Sequence, residues 1–196
     1  MGKTSEIKIA QLSASGYDQH WNRVDRFTSF VNPLEAMDPS AIDVHGFSDE
    51  FCANFDPWAV VGQRFNDFLE GLRTQCGARE ICLLAHNGLR FDFRIVVFEH
   101  ALAGLEWPMD VTCCDTLKVV KTLYPGEPTY SLGRLYESVL GEPLRNAHDA
   151  AVDVEAVVRL LLATDAHKET LEKVSGLVHE HSTSLNLIVK RCQKGR

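Results

Sequence analysis

The stretch Leu84-Ala85-His86-Asn87-Gly88-Leu89-Arg90-Phe91-Asp92 constrains the fold more than any other, because an apolar strand, a tight turn and a helix start meet there around one carboxylate. Ile81-Cys82-Leu83-Leu84-Ala85 is a continuous apolar run, the pattern of a strand covered on both faces of an α/β sheet. Asn87-Gly88 marks a turn. Beyond it, Phe91, Ile95, Val96, Phe98, Ala101, Leu102 and Leu105 recur at helical spacing and predict a helix with Asp92 in its first turn. The carboxyl end of a strand is where ligands bind in open α/β sheets. An Asp at that position is also favoured by the helix dipole and by free N–H groups, with no chemistry required. Asp92 alone therefore decides nothing.

The 196 residues suit one domain with a full core. No apolar run approaches the roughly 18 residues that span a bilayer, and Met-Gly-Lys-Thr-Ser-Glu at the start lacks the apolar stretch of a signal peptide. The expectation is a soluble, intracellular protein, cytoplasmic or nuclear. A net charge of −7 excludes broad electrostatic attachment to nucleic acid. A polynucleotide would have to be gripped in a local groove, or through metal ions that offset the carboxylates. Lys190, Arg191, Lys194 and Arg196 form the one basic cluster and read as a solvated terminus. Cys52, Cys76, Cys82, Cys113, Cys114 and Cys192 show no C-x-x-C pairing and read as reduced, structural residues.

Alternation over Ile7–Ala14 predicts a strand, with Gly16–Asn22 as its turn and Arg26–Val31 as an antiparallel partner. Pro39–Phe51 reads as a loop with a short helical piece that carries His45-Gly46. Trp58, Val61, Phe65, Phe68, Leu69 and Leu72 predict an amphipathic helix entered through Asp56-Pro57. Asp110–Leu117 is a second short apolar segment. Ser131–Val139 predicts a helix, and so does the span from about Asp149 to Thr164, with Val154, Val157, Val158, Leu161 and Leu162 buried. Strands first, then alternating strands and helices, make a mixed α/β sheet flanked by helices. Residues 7–163 read as one domain and residues 164–196 as a helical, basic appendage.

A second constellation, Asn146-Ala147-His148-Asp149-Ala150-Ala151-Val152-Asp153, opens the last strong helix. Five residues turn a helix through about 140°, so His148 and Asp153 cannot share a face if both are helical. If His148 precedes the helix, its ring can swing toward Asp153, and Asp149 becomes the N-cap. A loop histidine and a solvated helix carboxylate remain an alternative reading of the same residues.

Taken together, the two constellations resemble the DEDDh family of 3′–5′ exonucleases. The resemblance rests on Ala85-His86-Asn87 with Phe91-Asp92, and on His148 four residues before Asp153. The His45-Gly46 loop, Asp115-Thr116-Leu117 and Tyr130-Ser131-Leu132-Gly133-Arg134-Leu135 are similar to this family too, closest to its three-prime repair exonuclease branch. The resemblance covers roughly residues 7–163 and implies an RNase H-like fold. It also implies release of nucleotides from 3′ ends of single-stranded DNA or RNA, with two divalent cations roughly 3.5–4 Å apart. Hard oxygen ligands suit Mg²⁺ or Mn²⁺. Asp92 and Asp153 would be metal ligands and His148 the general base. His45, Asn87 and Phe91 match positions near the terminal nucleotide, where stacking on a base contributes about 1–3 kcal/mol.

One part of the pattern is absent. The family's first motif is an Asp-x-Glu on the first strand, and no such pair stands in an apolar strand ahead of Ile7–Ala14. Half of the expected carboxylates, and the strand that carries them, are missing. Removing a central strand leaves a gap near 10 Å edged with unpaired backbone groups. Three ways to fill it are a strand encoded upstream of Met1, the segment Leu185–Val189, or a partner strand, including one from a second copy. The missing pair favours an incomplete chain, or an inactive relative that binds nucleic acid or a partner, over an intact enzyme.

Overall fold

The computed structural model describes residues 8–147, 149–163 and 168–184. His148 and Leu185–Val189 lie outside the described residues.

Strands β1 (Gln11–Tyr17) and β2 (Arg23–Phe30) form an antiparallel hairpin with Gln11 opposite Phe30 and Ala14 opposite Phe27. The first strand starts later than the alternation predicts and runs on through Gly16. Gly16 belongs to the strand because a Cβ there would come within 2.2 Å of Leu72 Cδ2, so only glycine lets the neighbouring helix approach. The turn is shorter, from Asp18 to Asn22. There the Asp18 carboxylate accepts the N–H groups of His20 and Asn22 at 2.8 and 2.9 Å.

Two short helices follow, α1 (Pro39–His45) and α2 (Asp49–Cys52). Asp38 caps α1 and Pro39 opens it, while Gly46 ends it at φ 78°, a conformation glycine adopts without strain. Helix α3 (Trp58–Cys76) buries Trp58, Val61, Phe65, Leu69 and Leu72, close to the stripe read from sequence. Strand β3 (Ile81–Ala85) then leads through the Asn87-Gly88 turn into α4 (Asp92–Leu102).

Helix α4 starts at Asp92 as expected but ends at Leu102, short of Leu105, and does not show the expected core face. Phe93, Val97 and His100 are buried, whereas Phe91 and Leu102 are 44 % and 51 % exposed. Apolar residues lie on every side of this helix, so their spacing could not select the buried stripe.

Strand β4 (Val111–Asp115) pairs parallel to β3, with Ile81 beside Val111 and Ala85 beside Asp115. Asp115 caps α5 (Thr116–Leu123), a helix the sequence reading did not separate from the apolar segment before it. Helices α6 (Leu132–Leu140) and α7 (Ala150–Leu162) follow. After them, α8 (Lys168–His181) leads into β5 (Ser182–Ser184), which pairs antiparallel with the outer edge of β4.

The strands make the expected mixed α/β arrangement, parted among the described residues into an antiparallel β1-β2 pair and a mixed β3-β4-β5 sheet, in line with the gap that an absent strand implies. Both lie between the same helical layers. Leu12 and Phe27 pack toward α3, and Leu83 and Ala85 pack with Phe93 and Val97 of α4. On the opposite face Gln11 Oε1 accepts the Ala150 N–H of α7, and Cys82 and Leu84 pack with the cluster built from α5 to α8. Between the sheets runs a cleft of about 1630 Å³, bordered by β1 on one side and β3 on the other. Val154, Val157 and Val158, expected in the core, are half-buried and line this cleft, with Val157 also packed against the cluster of α5 to α8. So does β3, which is half-buried at every residue although its sequence reads as covered on both faces.

Candidate active site

The candidate site is built where β3 ends. Ala85 closes the strand, Asn87 takes φ 60°, and Gly88 makes the tightest contact of the turn, since a Cβ there would lie 2.7 Å from both Ala85 Cβ and Phe93 Cε2. Gly88 O then accepts the Phe93 N–H at 3.0 Å, and the helix begins at Asp92. Asp115, buried at the end of the adjacent strand, holds this turn in place. One of its oxygens accepts the Leu89 N–H at 3.3 Å and the other the Leu117 N–H at 3.0 Å. Both oxygens are thus engaged by backbone, which makes Asp115 a positioning group for the turn that carries Asp92.

Asp92 and Asp153 line the same cleft, together with His45 and His86. Asp92 keeps contact with solvent, yet the cleft withdraws part of its hydration. That loss, with the negative charges of Asp115 and Asp153, pushes its carboxyl above the usual range against the opposing pull of His86. Asp153 sits in the first turn of α7, which Asp149 caps by accepting the Ala151 N–H at 2.9 Å. Its burial is intermediate.

His86 is a residue the sequence reading quoted without assigning a role. Its Nε2 donates to the Tyr130 carbonyl at 2.7 Å, which leaves Nδ1 as acceptor facing the Thr116 hydroxyl at 3.5 Å. The ring is thereby tied to the segment before α6. Gln11 was missed altogether, and it joins β1 to the start of α7. Only three-dimensional pairing reveals either role.

His45 ends α1, where its Nδ1 accepts the Phe47 N–H at 3.0 Å and its ring stacks on Phe47 at 5.0 Å. Burial draws its pKa down. Asn87 and Phe91 are not brought to the cleft lining. Phe91 is exposed with the Arg90 guanidinium 5.4 Å from its ring centre, and Asn87 is committed to the turn, its carbonyl accepting the Arg90 and Phe91 N–H groups. Elsewhere, burial pushes the Cys113 and Cys114 thiols up to about 12, in keeping with inert structural cysteines.

A divalent cation fits Asp92 and Asp153 in chemistry, because hard carboxylate oxygens that repel one another gain from a shared positive charge. The described residues contain no group of three His, Cys, Asp or Glu side chains arranged to hold a metal. A cation held there would need ligands beyond these two carboxylates.

Comparison with known proteins agrees with this geometry. Residues 2–161 match the RNase_T exonuclease family model. Three-prime repair exonuclease 1 from Homo sapiens is 32% identical over 146 residues, covering 70% of this chain and 46% of that protein. DNA polymerase III subunit epsilon from Pasteurella multocida is 29% identical over 150 residues, covering 75% and 55%. The chain spans about half the length of these curated relatives. Among solved structures, the nuclease domain of 3′hExo, a DEDDh family member bound to rAMP, superposes with a TM-score of 0.66 at 16% identity, over 81% of each chain. Exonuclease I gives 0.68 at 20% identity, over 83% of this chain and 38% of that one. These likenesses show an RNase H-like fold. The chain belongs to the RNase_T exonuclease family, and its structural neighbours fall among the DEDDh exonucleases.

Proposed function

We propose that this chain is the catalytic-type domain of a 3′–5′ exonuclease acting on single-stranded DNA or RNA ends. The observation that carries this reading is that Asp92 and Asp153, far apart in sequence, line one cleft at the carboxyl end of β3. The raised proton affinity of Asp92, caused first by burial in the cleft and then by the charges of Asp115 and Asp153, supports it, because perturbed carboxylates in a cleft cluster at functional sites. In this reading Asp92 and Asp153 would hold Mg²⁺ or Mn²⁺, which when bound would supply positive charge to stabilise the phosphate oxygens. His148 takes the proton from the attacking water. His45 borders the cleft where a terminal base would stack, while Asn87 and Phe91 act from the adjoining turn. Nucleic-acid contact is supported by neighbours of the same fold, one holding rAMP and another, exonuclease X, holding 5′-overhanging duplex DNA.

The test is degradation of a 5′-labelled single-stranded oligonucleotide with Mg²⁺ or Mn²⁺, against EDTA and an Asp153→Asn control. A ladder shortening from the 3′ end and lost in both controls is the expected result. A folded chain that leaves the oligonucleotide intact would overturn it.

A second reading draws on the same site. With Asp115 engaged by backbone and two carboxylates facing the cleft, the domain would bind nucleic acid or a partner without cutting. Oligonucleotide binding unaffected by EDTA, with no turnover in either metal, is the outcome that selects it.

A further inference from the structure

We propose that the face built from residues 32–56 is a docking surface for a basic segment of a partner protein, held by two apolar anchors and a rim of carboxylates. The proposal is independent of the nuclease reading and of what occupies the cleft.

The anchors come first. Residues 32–37 and 49–57 lie side by side, tied at one end by the Asn32 N–H on the Asp56 carbonyl at 3.0 Å and at the other by the Met37 N–H on Asp49 Oδ1 at 3.0 Å. Leu34 stands between these ties, 73 % exposed and at φ 61°, a conformation that bulky residues rarely adopt. Its N–H donates to Asn32 Oδ1 at 3.0 Å, which fixes that geometry. In the facing segment Phe51 is exposed, and its ring is braced by Phe30, Phe47 and Phe55 with centroids 5.0, 5.6 and 5.0 Å away. Apolar groups that are exposed yet already held in place lose little freedom when a partner covers them.

The rim sets the partner's charge. Residues 32–63 hold Glu35, Asp38, Asp43, Asp49, Glu50 and Asp56 and no Lys or Arg, so this stretch carries −6 of the chain's −7. Among the described residues a cationic side chain reaches only Glu35, from Lys8 at 3.4 Å, and Asp56, from Arg64 at 2.7 Å. Asp43, Asp49 and Glu50 are exposed and keep their charge without a cation. A basic segment meets such a rim in a complementary field, which steers its approach and fixes its register.

Charge also decides against other occupants. A polynucleotide is repelled by this rim through its phosphates, and none of Leu34, Asp43, Asp49, Glu50 and Phe51 lines the cleft. A second copy docked face to face would set the same carboxylates against themselves. A polypeptide with Leu, Ile or Phe among its Lys and Arg residues satisfies anchors and rim together. Helix α1, which buries none of its own residues, joins this face to His45 at the border of the cleft, so a partner seated here lies beside the candidate site.

The experiment is a fluorescence-anisotropy titration of a fluorescein-labelled peptide, made of repeats of Leu-Lys-Lys-Leu-Leu-Lys-Lys, with the full 196-residue chain. Two control peptides carry Glu in place of every Lys or Ser in place of every Leu. The first peptide should bind and the controls should not. Asp43→Asn combined with Glu50→Gln should weaken binding by about tenfold and flatten its salt dependence. Leu34→Ser should weaken it by about tenfold as well. Both variants change only exposed side chains, and an unchanged circular dichroism spectrum separates a lost contact from a lost fold; if Leu34→Ser does not fold, the charge pair decides. Glu106→Gln combined with Glu137→Gln removes the same charge from elsewhere on the surface and should leave binding as it was. Equal weakening by the two charge pairs would show attraction by net charge alone and overturn the proposal. So would binding by a folded Leu34→Ser chain at wild-type strength, or no binding at all. Self-association of the chain that Leu34→Ser abolishes would make a second copy the occupant and overturn it too.

Discussion

Strands β3 and β4 have the same length, lie side by side in register, and differ sharply in burial. Val111, Cys113, Cys114 and Asp115 of β4 are buried, whereas every residue of β3 is half-exposed. Composition argues the reverse, since Ile-Cys-Leu-Leu-Ala is more apolar than Val-Thr-Cys-Cys-Asp. The cause is the second neighbour. β4 lies between β3 and β5, while β3 has β4 on one edge and the cleft on the other. A strand more apolar than its surroundings warrant marks where a neighbour belongs.

The largest test of that contrast is in the closed half. Leu160 is fully buried in the cluster formed by α5 to α8, so Leu160→Ala should lower stability by about 2–5 kcal/mol in urea unfolding. Leu84→Ala, on the cleft-side strand, should cost less than half as much because its site is partly solvated. Equal losses would break the comparison.

Titration offers a second contrast. His100 is buried against Trp107, with ring centroids 3.8 Å apart, and faces the Val96 carbonyl and Asn66 Oδ1. Burial outweighs those acceptors and holds its pKa at about 4, below the usual 6.5. The folded state therefore binds fewer protons than the unfolded one in this window. Its contribution is complete above pH 6.5 and lost as the pH falls toward 4, up to about 3 kcal/mol. A His100→Gln variant should flatten stability against pH across that window.

Asp92 has the opposite sign. Its folded pKa is raised, so ionisation weighs against the folded state at neutral pH. Asp92→Asn should consequently raise thermal stability slightly at pH 7 in EDTA, the usual trade at a functional site. A drop on substitution would mean the carboxylate is held by partners the cleft geometry does not provide.

Most local structure was legible because local rules decide it. The hairpin, the α3 stripe and the β3–turn–α4 junction follow from alternation, helical spacing and Asn87-Gly88. The placing of Asp92 and Asp153 in first helical turns was also legible, but a carboxylate there is favoured with or without chemistry, so only the family resemblance singled the two out. What failed depended on distant neighbours. Gly16 reads as a turn residue until Leu72 arrives beside it, and α4 offers apolar residues all round, so only Phe93 meeting β3 fixes its face. Val154, Val157 and Val158 read as core because periodicity distinguishes a helix's apolar side from its polar side but not a filled space from an open one.

That last distinction has its own measurement, with the smallest expected effect. Val157 lines the cleft, so in Val157→Thr the new hydroxyl reaches water and the cost should stay within about 0.5 kcal/mol. Val119 of α5 is fully buried in the closed half, and there the same change strands a hydroxyl away from water at about 1–3 kcal/mol. The two substitutions remove the same methyl and add the same group, so helix propensity and side-chain size cancel between them and solvent access remains as the difference. If Val157→Thr costs as much as Val119→Thr, the cleft is closed in solution, and β3 owes its exposure to something other than a missing neighbour.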